Sequence, residues 1–245
     1  MKRIAYITDI HLDEKFPVEN GVNPRKNWKL ILEDVANKNI DEIIFGGDIG
    51  EKESNQWFFE SLKDFKINII LGNHDHFSEV LKHYSKDSLN STTRELYYSY
   101  EDNCLKYIFL DSSSGEIIQN QYQWFKRELI TDKKVILFIH HPVLGVETAV
   151  DKQFPLRGRK KINEELQNFS QEVIIFCGHY HMNDERTIGN VNQFITPSAS
   201  YQIRKNSKTI EVDNSTFGYR IININKDKID SEIFLHKDGF FVAVT

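Results

Sequence analysis

Short apolar runs recur from the amino terminus to Cys177, and the stretches between them carry apolar residues at helical spacing. The runs at 3–8, 42–45, 67–71, 96–100, 106–110, 135–139 and 173–177 are rich in Ile, Val, Leu, Phe and Tyr and have strand length. Trp28, Ile31, Leu32 and Val35 fall at i, i+3, i+4 and i+7, one face of a helix, and Pro24 ahead of them suits its first turn. Trp57, Phe58, Ser61, Leu62 and Phe65 predict a second helix. Tyr122, Phe125 and Leu129, with Trp124 beside them, predict a third, and Ile162, Leu166 and Phe169 a fourth. Strand–helix alternation of this kind predicts an α/β sheet covered by helices. Beyond Asn190 the texture changes. The segments 191–196, 217–224, 228–235 and 240–244 read as strands with no helical spacing between them, and Asn225 to Asp227 lies between two of them as a hairpin turn would. No linker-like composition, charge block or internal repeat divides the chain, so it reads as one domain over residues 1–245.

Composition narrows the class. With 40% hydrophobic and 27% charged residues, the chain is too apolar for a disordered one and long enough to bury a sizeable core. Its 31 basic against 36 acidic residues leave a net charge of −5, which argues against gripping duplex nucleic acid by phosphate neutralisation. The longest apolar runs, such as 135–139 and 173–177, fall far short of the ~20 residues a membrane-spanning helix needs, so no membrane insertion is expected. The first apolar stretch meets Asp9 before it reaches the ~7–15 residues of a signal-peptide core. Two cysteines, Cys104 and Cys177, make no disulfide framework, and a reduced, cytoplasmic protein is the expectation.

The chemistry lies just past the apolar runs. Asp9-Ile10-His11 follows the first, Gly46-Gly47-Asp48 the second and Gly72-Asn73-His74-Asp75 the third. His140-His141-Pro142 follows the sixth, and Gly178-His179-Tyr180-His181 the seventh. Loops at the carboxyl ends of strands are where open α/β sheets bind ligands, so these blocks suggest one shared site. Asp, Asn and His offer oxygen and imidazole nitrogen without thiolate, which suits Mn, Fe or Zn in a hydrolytic centre rather than a structural zinc. In D-x-H and H-x-H, residues i and i+2 of an extended backbone point to the same side. The flanking glycines let the backbone turn close to a crowded centre.

Taken in order, Asp9-x-His11, Gly47-Asp48, Gly72-Asn73-His74-Asp75, His140 and Gly178-His179-x-His181 resemble the motif set of the calcineurin-like metallophosphoesterases. Asp75, and the stretch Thr196-Pro197-Ser198 followed by Gln202, are similar to the class III cyclic-nucleotide phosphodiesterase branch. The resemblance implies an α/β fold, a four-layer αββα sandwich of two mixed sheets of the metallo-dependent phosphatase type, with residues 191–245 an antiparallel portion completing the second sheet. It also implies two divalent or trivalent metal ions (Mn, Fe or Zn). One would be held by Asp9, His11 and His181, the other by Asn73, His140 and His179, with Asp48 bridging. Two cations against two carboxylates leave a positive centre, which attracts a phosphate ester. His74 would face the substrate and protonate the leaving oxygen, with Asp75 orienting its ring.

Other residues carry weaker signals. The choice of ligand between His140 and His141 follows the resemblance, which makes His141 either a residue supporting the ligands from behind or one facing the substrate beside Asn73 and His74. His76 reads as a pocket or loop residue, and His83 and His236 as surface residues. Cys177 reads as a small buried residue. The basic run 156–161 reads as a solvated loop and helix start, with Arg157 as a candidate substrate contact. The edge of the carboxyl-terminal strands is available for a homodimer contact. The functional expectation is a phosphodiesterase on a small phosphoester such as a cyclic nucleotide. A phosphomonoesterase and a nuclease are the alternatives within the superfamily, and a ligand-free scaffold is disfavoured because every ligand type is present.

Overall fold

The computed structural model describes residues 1–85 and 94–244. The chain begins with Lys2–Ile7 (β1), the short helix Lys15–Glu19 (α1) and the long helix Pro24–Asn37 (α2). Glu42–Phe45 (β2), Asn55–Ser61 (α3) and Lys66–Ile69 (β3) follow. Strands β1, β2 and β3 pair in parallel, as the strand–helix alternation requires. After Phe77–Val80 (α4), the strands Tyr98–Glu101 (β4) and Leu105–Leu110 (β5) open a second sheet. It continues through Gln119–Glu128 (α5), Lys134–Ile139 (β6), Ala149–Gln153 (α6), Arg159–Asn168 (α7) and Val173–Cys177 (β7). Asp184–Ile188 (β8) and Val191–Ile195 (β9) complete it. Gln202–Ile203 (β10) and Val212–Asp213 (β11) form a two-stranded ribbon. Phe217–Asn225 (β12), Lys228–Lys237 (β13) and Phe240–Val244 (β14) then run antiparallel.

The sheet orders are β14-β13-β12-β1-β2-β3 and β4-β5-β6-β7-β9-β8. The carboxyl-terminal quarter therefore divides between the sheets instead of completing the second. β9 lies parallel to β7, whereas β12 to β14 extend the sheet that holds β1. The expectation failed because β12 pairs antiparallel with β1, and because β8, with Glu185, Thr187 and Ile188 exposed, is a polar edge strand that no apolar run announced. With β8 at the edge, β9 turns back into the parallel region.

Period-two alternation assigns each strand residue to one of two cores. Tyr107, Phe109, Ile136, Phe138, Ile174 and Phe176 face the other sheet, in the core that also holds Ile4 and Tyr6. Ile108, Leu110, Leu137, Ile139, Ile175 and Cys177 face the opposite way, against Phe125, Ile162 and Leu166 of α5 and α7. On the far side of the first sheet, Trp28 of α2 stacks near Phe45 and Phe58, with ring centroids 5.8 and 5.0 Å away. The result is helices, sheet, sheet, helices. Asn23 caps α2 by accepting the Lys26 amide at 3.0 Å, and Pro24 occupies its first turn. Among the described residues, no helix is long and apolar enough to cross a membrane.

The two sheets are tied together where the motif blocks lie. Within each sheet the Asp9 amide donates to the Gly47 carbonyl and the Gly178 amide to the His140 carbonyl, while across them the His179 amide donates to the Asp9 carboxylate. The Ala199 amide donates to the Thr8 carbonyl, and Ser198 Oγ to the Asp9 carbonyl at 2.8 Å. The stretch around Ser198 thus buttresses the end of β1 from behind.

Candidate metal centre

Asp9 and Asp48 are buried at the ends of β1 and β2, and the candidate histidines converge on them. Asp9, His11 and His181 offer ligand atoms that all lie within 4.8 Å of one another, and so do Asp48, His140 and His179. Asp9, His11, Asp48, His179 and His181 all have φ between 47° and 67°. This left-handed conformation costs a non-glycine residue on the order of 1–2 kcal/mol, and Asp and His tolerate it better than most. Strain repeated at candidate ligands points to a site that uses it. At Gly178 a side chain would collide with Thr8 and Asp9, and at Gly72 with the Asp48 carboxylate and amide, so these turns require glycine.

Each imidazole is anchored through one nitrogen. His140 Nδ1–H donates to the Gly46 carbonyl at 2.8 Å, and His181 Nδ1–H to the Tyr201 carbonyl at 3.0 Å. His179 Nε2–H donates to the Phe154 carbonyl at 3.0 Å. His11 Nδ1–H donates to Glu14, whose two oxygens both lie at 3.1 Å. Anchoring of this kind orients the ring and turns the other nitrogen inward, where it can hold a proton or a cation. His11 Nε2 and His181 Nε2 then face each other at 3.1 Å. Two lone pairs at that distance repel unless a cation or proton lies between them. His140 Nε2 is buried without a hydrogen-bond partner, 3.3 Å from Asp48 Oδ2. This donor set fits cations.

The electrostatics agree. Burial disfavours the charged form of His140, but the Asp48 and Asp9 carboxylates outweigh it and push the imidazole up to about 10. Burial likewise opposes ionisation of Asp9, yet His181 and His140 hold its carboxyl at about 2. A cation must displace the histidine protons to bind. Manganese added to metal-free protein at pH 8 is therefore expected to release at least about one proton per chain, with affinity falling as pH falls. Calorimetry in buffers of different ionisation enthalpy measures both.

Asn73 and His74 stand exposed at the rim, on the loop after β3. Asp75 does not orient the His74 ring. Its carboxylate instead accepts the amides of Asp48, Ile49 and Gly72, each at 2.8 Å, and so holds the Asp48 turn against the Asn73 loop. Burial and the Asp48 charge push Asp75 up to about 7 against those three amides. The ring of His74 is held by Glu14, with Nδ1 3.0 Å from Oε1. That hydrogen bond, opposed by burial, raises His74 to about 9. Glu14 is the residue that sequence reasoning missed. Its one signal was position, three residues beyond His11 in the same loop. Because it serves a candidate ligand and His74 together, Glu14→Gln is expected to weaken metal binding roughly 10–100-fold, read by metal titration.

His140, not His141, turns its free nitrogen toward the two carboxylates. His141 is fixed by Ser112 Oγ at 2.9 Å and lies beside His179, with ring centroids 4.0 Å apart. Burial, with His179 and His140 nearby, keeps it neutral. Two cavities meet at the centre. One, of about 350 Å³, is lined by His11, Asp48, His74 and His181 and walled by Phe16, Tyr201, Ile203 and Val212. The other, of about 520 Å³, is lined by His141, Lys152 and Arg157. Asn73, His179 and Phe154 border both. Arg157 thus reaches a cavity wall, whereas Arg159 is held by Asp151.

The family model for calcineurin-like phosphoesterases matches residues 2–183. The chain belongs to this family. It is a phosphoester hydrolase, and the span of the match contains every block at the centre. A probable glycerophosphodiester phosphodiesterase, GpdQ, from Arcobacter nitrofigilis is 30% identical to this phosphoesterase over 227 residues, covering 84% of this chain and 82% of that protein. The 3',5'-cyclic adenosine monophosphate phosphodiesterase CpdA of Escherichia coli K12 is 25% identical over 240 residues, covering 92% and 86%. A dimetal phosphatase from Danio rerio shares the fold of this phosphoesterase with a TM-score of 0.65 at 11% identity, covering 100% of this chain and 98% of that one.

Proposed function

We propose that this phosphoesterase is a dinuclear metal-dependent phosphodiesterase acting on a small diester. Asp9, His11 and His181 would hold one metal and Asn73, His140 and His179 the other, with Asp48 available to both. The observation that carries the reading is the set of four imidazoles, each anchored on one nitrogen and turning the other inward, around two buried carboxylates. When bound, ions of the Mn, Fe or Zn type supply Lewis acidity and a water of lowered pKa.

The chain's own residues do the rest. Glu14 holds His74 through Nδ1, which leaves Nε2–H to donate to the oxygen of the departing alcohol. Asp75 keeps the Asp48 and Asn73 loops in register through the backbone. Phe16 and Phe154, 49% and 54% exposed, flank the centre and exclude water once a substrate lies between them. A cyclic nucleotide or a glycerol-type diester suits these dimensions, and the relatives named for such substrates support the reading. The unpaired, exposed Cys104 suits the cytoplasm.

A second reading, phosphomonoesterase, is favoured by Lys152 and Arg157, since added cations suit a dianion. Metal analysis together with bis(p-nitrophenyl) phosphate and p-nitrophenyl phosphate tests both. Two metals per chain and the higher kcat/KM for the diester are expected. A single zinc would overturn the dinuclear centre, and a monoester preference would select the second reading.

A further inference from the structure

The two cavities that meet at the metal centre differ in character. The smaller one is walled by Phe16, Tyr201, Ile203 and Val212, and it includes His74. The larger one lacks His74 and carries two cationic side chains, Lys152 and Arg157, with no acidic residue in its lining. Arg157 is oriented by the Ser114 carbonyl at 2.7 Å and by Glu116 at 3.4 Å. Both contacts fall on Nη2, so Nη1 and Nε remain to donate to a ligand. Among the described residues, no carboxylate lies within ion-pair distance of Lys152. Phe154, Asn73 and His179 separate the two spaces.

A diester has two arms, and this asymmetry distinguishes them. His74 borders the apolar cavity, so the leaving alcohol lies there, within reach of its proton. The retained arm then projects past Asn73 and Phe154 toward Arg157. We propose that the Arg157–Lys152 cavity is a second subsite that takes an anionic group, of the phosphate or carboxylate class, on the retained arm of an acyclic phosphodiester. The inference rests on the phosphodiesterase reading above and adds a preference to it. A cyclic diester, with both ester oxygens on one sugar, would occupy the central space and leave this subsite empty. An anionic arm gains charge-assisted hydrogen bonds from Arg157, which prefers oxyanions to neutral hydroxyls.

The test uses manganese-loaded full-length protein and two probes, thymidine 5′-(p-nitrophenyl phosphate) and the same compound carrying a 3′-phosphate. Both release p-nitrophenolate, so they differ only on the retained arm. The 3′-phosphorylated probe is expected to show kcat/KM about tenfold higher or more, mainly through KM. In the double variant Lys152→Ala with Arg157→Ala, the ratio between the probes falls to about one. Lys160→Ala combined with Lys161→Ala, which removes the same two charges from exposed positions of α7, leaves the ratio intact and excludes general electrostatic steering. Equal kcat/KM for the two probes in the wild type would overturn the subsite. An equal loss on both probes in the double variant would do the same, because Arg157 would then be acting on the scissile phosphoryl group. Turnover of neither probe, nor of bis(p-nitrophenyl) phosphate, would instead overturn the phosphodiesterase reading and the subsite with it.

Discussion

Asp48→Asn is expected to reduce phosphodiesterase turnover roughly 10³-fold or more, the largest loss for any single side chain. The metals contribute several kcal/mol of charge stabilisation, and about 1.4 kcal/mol is a factor of ten in rate. Asp48 lies close to an inward imidazole nitrogen of each candidate ligand group. Its Oδ2 lies 3.3 Å from His140 Nε2 and 3.6 Å from His11 Nε2, and its Oδ1 accepts the His74 amide at 2.8 Å. Asparagine is the informative replacement. Asp48 has φ 61°, a conformation that asparagine accepts and alanine does not, so Asp48→Asn removes the charge without adding backbone strain. Metal analysis should show occupancy lost and a melting temperature of the metal-free protein little changed. Full occupancy with normal turnover would remove Asp48 from the centre.

His74→Gln is expected to keep both metals and lose ~10²–10⁴-fold in kcat, the range for a positioned proton donor. The loss should depend on the leaving group. p-Nitrophenolate departs without much protonation, so its esters should suffer least and alkyl esters most. A loss of equal size across leaving groups would make His74 a substrate-positioning residue instead. The pH profile offers a second readout. His74 must carry its proton to donate it, so activity falls as pH rises through its pKa. Glu14 holds that pKa up, and Glu14→Gln is therefore expected to move the alkaline limb to lower pH. An unmoved limb would separate Glu14 from the proton donor.

The sequence disclosed the parts of the centre that depend on residue type at a strand end. Asp9, Asp48, His140 and His179 follow the apolar runs of β1, β2, β6 and β7; parallel pairing brings the ends together two by two, and packing of the two sheets joins the pairs. What stayed hidden depends on loops folding back. Glu14 is an ordinary acidic residue in a polar loop until α1 turns the chain and sets it between two imidazoles. Asp75 looks like a partner for the neighbouring His74, yet the turn at Gly72 aims its carboxylate at three amides. The ribbon of β10 and β11, which supplies Ile203 and Val212 to the cavity wall, has two residues per strand and so carries no periodicity. β8 was lost for a related reason. An edge strand buries one face at most, and this one is mostly charged or exposed.

Phe154 joins two properties that an engineer would want to vary separately. Its ring borders both cavities, while its carbonyl holds His179 Nε2–H and so leaves Nδ1 for the candidate metal centre. Replacing the segment between α6 and α7 to admit a bulkier ester would also release a candidate metal ligand. Specificity libraries in this loop will therefore return many variants that look inactive and are in fact under-metallated. Screening at elevated manganese, or varying only side chains while the Phe154 backbone is left in place, would separate the two classes.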